Sequence, residues 1–130
     1  MIILTLRTDQ PTASIALYND DTLLERIAWE AHRELARTIH TKIRSLLAKH
    51  DYTWQDIAGL VCYEGPGSFT GLRIGLTVAN TLAHELAIPI VGTTTEDWER
   101  DGVQKLLDGT NQTVVLPHYG REPHITTPKK

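Results

Sequence analysis

Three stretches near the start of the chain, Ile2 to Leu6, Ala13 to Tyr18 and Thr22 to Trp29, alternate apolar and polar positions with the period of a β-strand. Asp9-Gln10-Pro11 and Asn19-Asp20-Asp21 fall between them as turn signals, so the pattern predicts a three-stranded antiparallel meander. From Ala31 the period becomes helical. Leu35, Ile39, Ile43, Leu46 and Leu47 share one face, while Arg33, Arg37, Lys42, Arg44 and Lys49 lie mostly elsewhere. Asp51 to Gln55 reads as a connector. Ile57 to Tyr63 is almost continuously apolar, as expected of a strand covered on both faces. A glycine-punctuated turn then passes into a long helix that closes near Ala87, and Pro89-Ile90-Val91-Gly92 supplies another short strand. The order βββαβαβ predicts an α/β fold: a mixed five-stranded sheet with two main helices, joined by right-handed crossovers. Beyond Gly92 the signal weakens. Thr95 to Leu107 fits a short helix, Asp108-Gly109-Thr110-Asn111 a turn, Thr113 to Leu116 a further strand, and Pro117 to Lys130 an extended, partly disordered tail.

At 130 residues, 41% hydrophobic and 22% charged, the chain has the composition of one globular domain, with or without a tail. A net charge of −3 disfavours nucleic-acid binding by the chain alone. The single cysteine, Cys62, sits in the apolar run and reads as a small buried hydrophobe. The sequence shows no signal peptide, lipidation motif or apolar stretch long enough to span a bilayer, which leads to the expectation of a cytoplasmic location with no membrane partner.

The chemistry concentrates in the run Gly65-Pro66-Gly67-Ser68-Phe69-Thr70-Gly71-Leu72-Arg73-Ile74-Gly75 and the helix it opens. Positions four apart share a helix face, so Gly71, Gly75, Ala79 and Ala83 form one small-residue groove. Leu72, Ile74, Val78, Leu82 and Leu86 give the rest of the helix an apolar surface to seat it on a sheet. Two glycines inside a helix cost about 1 kcal/mol each relative to alanine, which calls for a compensating close contact. That contact is either a neighbouring helix of the same domain or another chain. The loop before the helix offers unpaired N–H groups and a helix dipole to an anion, through Gly65, Gly67, Ser68 and Thr70. It lacks the lysine and spacing of a P-loop and does not match the dinucleotide fingerprint, and a plain helix cap by Ser68 or Thr70 accounts for the same residues. No zinc spacing, nucleophile elbow or paired-carboxylate site is evident, so neither a catalytic residue nor a metal ligand is predicted. The clusters Glu25-Arg26 and Glu96-Asp97 with Glu99-Arg100-Asp101 read as solvated faces.

The run from Gly65 to Gly75 resembles the signature of the TsaB family, also called YeaZ, and the resemblance extends over Ile3 to Leu17, His32 to Leu47, Ile57 to Tyr63 and Ile88 to Gly92. It implies the fold of the actin, Hsp70 and sugar-kinase superfamily, with residues 1–95 as its first lobe and residues 96–130 as a short helix/strand remnant plus tail. The family resemblance also implies a non-catalytic scaffold subunit, without a cofactor, in the making of threonylcarbamoyladenosine at tRNA position 37. Its expected partners are the catalytic subunit TsaD, bound through first-lobe helices, and the ATPase TsaE, with tRNA met only through the complex. By residue matching the interface would include His32, Leu35, Ala36, Ile39, Ile43, Gly71, Gly75, Ala79 and Ala83.

Two departures stand out. Where the family usually has an acidic residue at the end of the first strand, this chain has Arg7, a cation that repels Mg²⁺ and argues against ATP hydrolysis here. Arg7 is left to meet an anion or to pair with Asp9 or Glu64. In addition, Thr113 to Arg121 looks like a family C-terminal ending, so most of the second lobe is expected to be absent. Two alternatives stay open: an anion- or nucleotide-binding protein using Gly65 to Gly71 with Arg7, and a self-associating module forming a symmetric homodimer through the same helices. The cations Arg121, Lys129 and Lys130 read better as a solvated terminus than as a tRNA contact.

Overall fold

The first strand, β1 (Ile2–Arg7), is buried along its middle and is the central strand of the sheet. The computed structural model of the chain describes residues 1–67, 69–94 and 96–117. Ser68, Thr95 and the expected tail from His118 to Lys130, with Arg121, Lys129 and Lys130, lie outside the described residues. β1 pairs antiparallel with β2 (Thr12–Asn19), which pairs antiparallel with β3 (Thr22–Glu30). On its other side β1 pairs parallel with β4 (Ile57–Tyr63), and β4 parallel with β5 (Ile90–Thr93). The sheet order is therefore β3-β2-β1-β4-β5, the mixed five-stranded sheet that the hydrophobic pattern predicts.

Three helices cover this sheet: α1 (Leu35–Lys49), α2 (Phe69–Leu86) and α3 (Trp98–Leu107). Strand side chains alternate between faces, so β1 feeds two cores. Leu4 and Leu6 join Leu35, Ile39, Ile43, Leu76 and Ala79 beneath α1 and α2. Ile3 joins Val61, Val91, Trp98, Val103 and Leu106 beneath α3. β4 reads as unbroken apolar sequence because both its faces meet helices. The third helix starts at Trp98 rather than Thr95, and its packing on β4 and β5 makes it part of the sheet's second core.

The segment expected to form a strand from Thr113 to Leu116 does not pair as one. The outer edge of β5 is met largely by amide side chains: Ile90 N–H donates to Asn111 Oδ1 at 3.1 Å, and Gly92 N–H to Gln112 Oε1 at 2.6 Å. Gln112 N–H returns one bond of 2.9 Å to the Ile90 carbonyl. Three residues on, the Asn80 amide acts as a neighbouring peptide, accepting from Val115 N–H and donating to its carbonyl, both at 2.9 Å. Val115 is thereby held 1% exposed while Val114 and Leu116 face solvent.

Cys62 is buried, as expected, and its thiol donates to the Val91 carbonyl at 3.7 Å. Burial, with a smaller contribution from Glu64, holds the thiol above its ordinary titration range. Iodoacetamide at neutral pH is accordingly expected to leave the folded chain unlabelled and to label it fully in denaturant. Rapid labelling of the native protein, read by intact mass, contradicts this packing.

Candidate functional site

The glycine loop joins β4 to α2 at the end of the sheet where β1 turns toward β2. The Gly65–Pro66 peptide is cis, and Tyr63 donates its hydroxyl to the Pro66 carbonyl at 2.9 Å. Arg7 leaves the end of β1 with its guanidinium 4.0 Å above the Tyr63 ring. Its Nε donates to Asp9 Oδ1 at 2.8 Å and its terminal nitrogen to Asp9 Oδ2 at 3.3 Å. The bidentate bond to Asp9 holds the guanidinium above its ordinary pKa. Of the alternatives open to Arg7, the structure shows the pair with Asp9; Glu64 instead lies with Oε1 beside Gly92.

Asp9 also occupies the concave side of the loop. A methyl group on Gly67 would stand 2.3 Å from Asp9 Cβ, and the Asp9 side chain is only 5% exposed. The loop thus packs against a carboxylate of its own chain, and an external anion entering there would meet a like charge. Thr70 is exposed in the first turn of α2. Among the described residues, no group of three or more His, Cys, Asp or Glu side chains is placed to hold a metal, and no helix is long and apolar enough to cross a membrane.

The small-residue groove of α2 is filled from within. The Gly71 carbonyl accepts a 2.7 Å bond from Thr8 Oγ1, and a methyl group on Gly71 would stand 2.0 Å from the Thr8 carbonyl oxygen. One turn on, a methyl group on Gly75 would stand 2.0 Å from Thr8 Oγ1. Ala79 and Ala83 continue the stripe into the core, 0% and 4% exposed. The close contact that the glycines call for is therefore supplied within the chain by the β1–β2 turn. Leu35, Ile39 and Ile43 also point inward, 4%, 0% and 0% exposed, and stabilise the lobe rather than present a surface.

Of the expected interface residues, Ala36 is on the outside, and the side chain of His32 lies outside what is described. Ala36 borders a shallow depression of about 310 Å³ between α1 and α2, completed by His40, Arg73, Ile74, Thr77 and Val78. None of those five is among the interface residues expected from the sequence, where Ile74 and Val78 belong to the apolar surface that seats the helix on the sheet. The signal was present in the helical wheel: Ala36 and His40 flank the buried row Leu35, Ile39, Ile43, and Arg73 and Thr77 follow the same turn spacing on α2.

A second depression, of about 520 Å³, lies on the opposite face of the sheet beside the start of α3, and its floor contains a buried network. Glu99, 9% exposed, accepts from Thr5 Oγ1 at 2.9 Å and from the Tyr18 hydroxyl at 2.7 Å, and it pairs with Arg26. The sequence places Glu99 and Arg26 on solvated faces; Arg26 is indeed exposed, but the structure corrects the reading for Glu99, because Trp98 and Val103 draw the first turns of α3 onto the sheet and carry Glu99 inward. Glu25 does face solvent in part, and its pair with Lys49 and His50 lowers its pKa.

Comparison with known proteins gives a consistent picture. A family model described as TsaD, tRNA N6-adenosine threonylcarbamoyltransferase, matches residues 27–98. The chain is 42% identical over 91 residues to the tRNA threonylcarbamoyladenosine biosynthesis protein TsaB of Bacillus subtilis, covering 69% of this chain and 39% of that protein. It is 33% identical over 136 aligned positions to the TsaB protein of Escherichia coli, covering 94% of this chain and 56% of that one. The chain thus spans about half the length of the curated relatives it matches. Among solved structures, YeaZ from Pseudomonas aeruginosa superimposes with a TM-score of 0.66 at 27% identity, over 72% of this chain and 43% of that one.

Proposed function

Since this chain belongs to the TsaB (YeaZ) family, we propose that it is a non-catalytic subunit in the biosynthesis of threonylcarbamoyladenosine in tRNA, binding a TsaD-like catalytic subunit and keeping it active. The observation that carries this reading is the outer α1–α2 face, an apolar depression lined by Ala36, Ile74 and Val78 on helices whose inner faces are fully used by the core. The docking surface is therefore this outer face, not the small-residue stripe. A TsaE-like ATPase joins the same assembly, and tRNA is met through the complex.

The end of β1 supports the non-catalytic part. Arg7 and Asp9 close on each other as a compact pair, which leaves a cation and a committed carboxylate where a metal–phosphate site would need free acidic oxygens. The loop's contact with Asp9 weighs in the same way against anion binding at Gly65 to Gly71.

Light scattering after size-exclusion chromatography, with the chain alone and mixed with the TsaD-like subunit of the same organism, tests the assignment. A mixed complex is expected. Ala36→Trp, which places a bulky ring in the depression from a position that is itself exposed, is expected to abolish it while thermal melting shows the chain still folded. A mixed complex indifferent to Ala36→Trp overturns the placement of the interface, and the absence of any complex with the wild-type chain overturns the function.

A further inference from the structure

The depression above the Glu99 network lies on the face of the sheet turned away from α1 and α2, and its two walls carry opposite charge. In the β1–β2 register Arg7 faces Ser14, and in the β2–β3 register Ala16 faces Arg26. Directly opposed residues share a face, so both arginines project from one side of the sheet across a floor of small residues. Each guanidinium is fixed by a buried carboxylate of the chain. Asp9 takes Nε and one terminal nitrogen of Arg7, and Glu99 takes the same edge of Arg26. The other terminal nitrogen of each makes no hydrogen bond among the described residues. The bonds to Asp9 and to Glu99 hold the two guanidiniums above their ordinary pKa, so both stay charged.

The facing wall is the entry to α3, where Glu96 and Asp97 are exposed and make no ion pair among the described residues. The depression holds about 520 Å³, within the range of small-molecule sites, roughly 300–1,000 Å³. We infer that it binds a small zwitterion, an α-amino acid or a short peptide, with the carboxylate on Arg7 and Arg26 and the ammonium on Glu96 and Asp97. Guanidinium forks that are already oriented lose little side-chain freedom when they donate to a carboxylate. Simpler ligands match one wall only. An inorganic anion or a nucleic-acid backbone would meet the arginines but be repelled by Glu96 and Asp97. A metal ion would find arginines beside those two carboxylates, and among the described residues no group of three or more His, Cys, Asp or Glu is placed to hold one. The site is across the sheet from the α1–α2 depression, so its occupancy is independent of the proposed partner.

Two-dimensional amide NMR of the isotope-labelled chain tests this with L-alanine, L-alanyl-L-alanine, N-acetyl-L-alanine and L-alanine amide, each to about 10 mM. Saturable shifts of the Ser14 and Trp98 amides are expected with alanine or dialanine. Loss of either charge, in N-acetylalanine or alanine amide, is expected to weaken binding about tenfold. Preference for alanine assigns the site to free amino acids, and preference for dialanine to peptides. Glu96→Gln/Asp97→Asn, at exposed positions, is expected to cost the zwitterion about tenfold while leaving N-acetylalanine unchanged. Arg26→Gln should weaken both, with thermal melting to show that it folds, and Arg44→Gln on α1 should weaken neither. Three results overturn the inference: no saturable shift with any of the four probes, alanine amide binding as tightly as alanine and dialanine, or zwitterion binding indifferent to Glu96→Gln/Asp97→Asn. Tighter binding of inorganic phosphate than of alanine or dialanine overturns it as well, and assigns the arginines to a simple anion.

Discussion

Gly71→Ala is expected to lower stability by about 3 kcal/mol or more, seen as a fall of roughly 10 °C in melting temperature. Alanine is normally worth about 1 kcal/mol over glycine inside a helix, so propensity alone predicts the opposite sign. Sterics decide it. The added carbon would stand 2.0 Å from the Thr8 carbonyl oxygen, a backbone atom that cannot rotate away, and the displacement would also break the bond from Thr8 Oγ1 to the Gly71 carbonyl. Gly75→Ala meets the Thr8 side chain instead, with Oγ1 at 2.0 Å, Cγ2 at 2.8 Å and Cβ at 2.9 Å, and is expected to cost less. Thr8→Ala removes two of those three atoms and should recover part of the loss in the double variant, a coupling on the order of 1 kcal/mol. Melting curves of the four proteins in the Thr8/Gly75 cycle and of Gly71→Ala measure all of this. A Gly71→Ala protein as stable as the parent shows that the β1–β2 turn does not rest on α2. It also follows that Gly75→Leu, with a far larger side chain at the same place, would disrupt the lobe itself.

Glu99→Ala is the second large effect, expected to cost about 2–3 kcal/mol. Removal of the carboxylate leaves the hydroxyl of Thr5, which is 0% exposed, and that of Tyr18, which is 9% exposed, without their acceptor. The loss stays below that of a fully buried ion pair because the Arg26 side chain is 46% exposed and recovers water. Glu99→Gln keeps the shape and one acceptor and should fall about midway.

The same network gives a pH signature. Burial first, and then the bond to Glu99, push the Tyr18 phenol from its ordinary 10 up to about 12. A group whose pKa is raised on folding contributes stability below its unfolded value and loses it as pH rises through the folded one, so this contribution vanishes between pH 10 and 12. Tyr18→Phe removes that component of the alkaline loss. Tyrosinate absorbance, as the difference between parent and Tyr18→Phe, should show one phenol titrating near 12. A Tyr18 that ionises with the ordinary phenols overturns this account of the network.

Much of the architecture is legible in the sequence because it follows from short-range periodicity. The half-buried alternation of β3, the unbroken apolar run of β4 and the switch to a 3.6-residue period at α1 each report how many faces of an element meet the core. The glycine signature is legible for a related reason: a backbone that must be approached closely tolerates few residue types. Spacing fails where it has to name what does the approaching. The groove of α2 is filled by Thr8, 63 residues before Gly71, and no local pattern encodes that meeting. Thr113 to Leu116 has the pattern of a strand, yet Asn111 and Gln112 supply the bonds at the β5 edge through side chains.

The sequence by itself determined the order and kind of the main elements, the mixed sheet and the family, because each is written in periodicity or in a contiguous motif. Only the tertiary structure decided that Leu35, Ile39, Ile43 and the small stripe are interior, that Arg7 is neutralised by Asp9, and that Glu99 is held in a buried network. The physical reason is common to all three. A helix face or a charge pair is specified by its neighbours in space, and those neighbours are brought together by the closing of the sheet, whose contacts span dozens of residues in the chain.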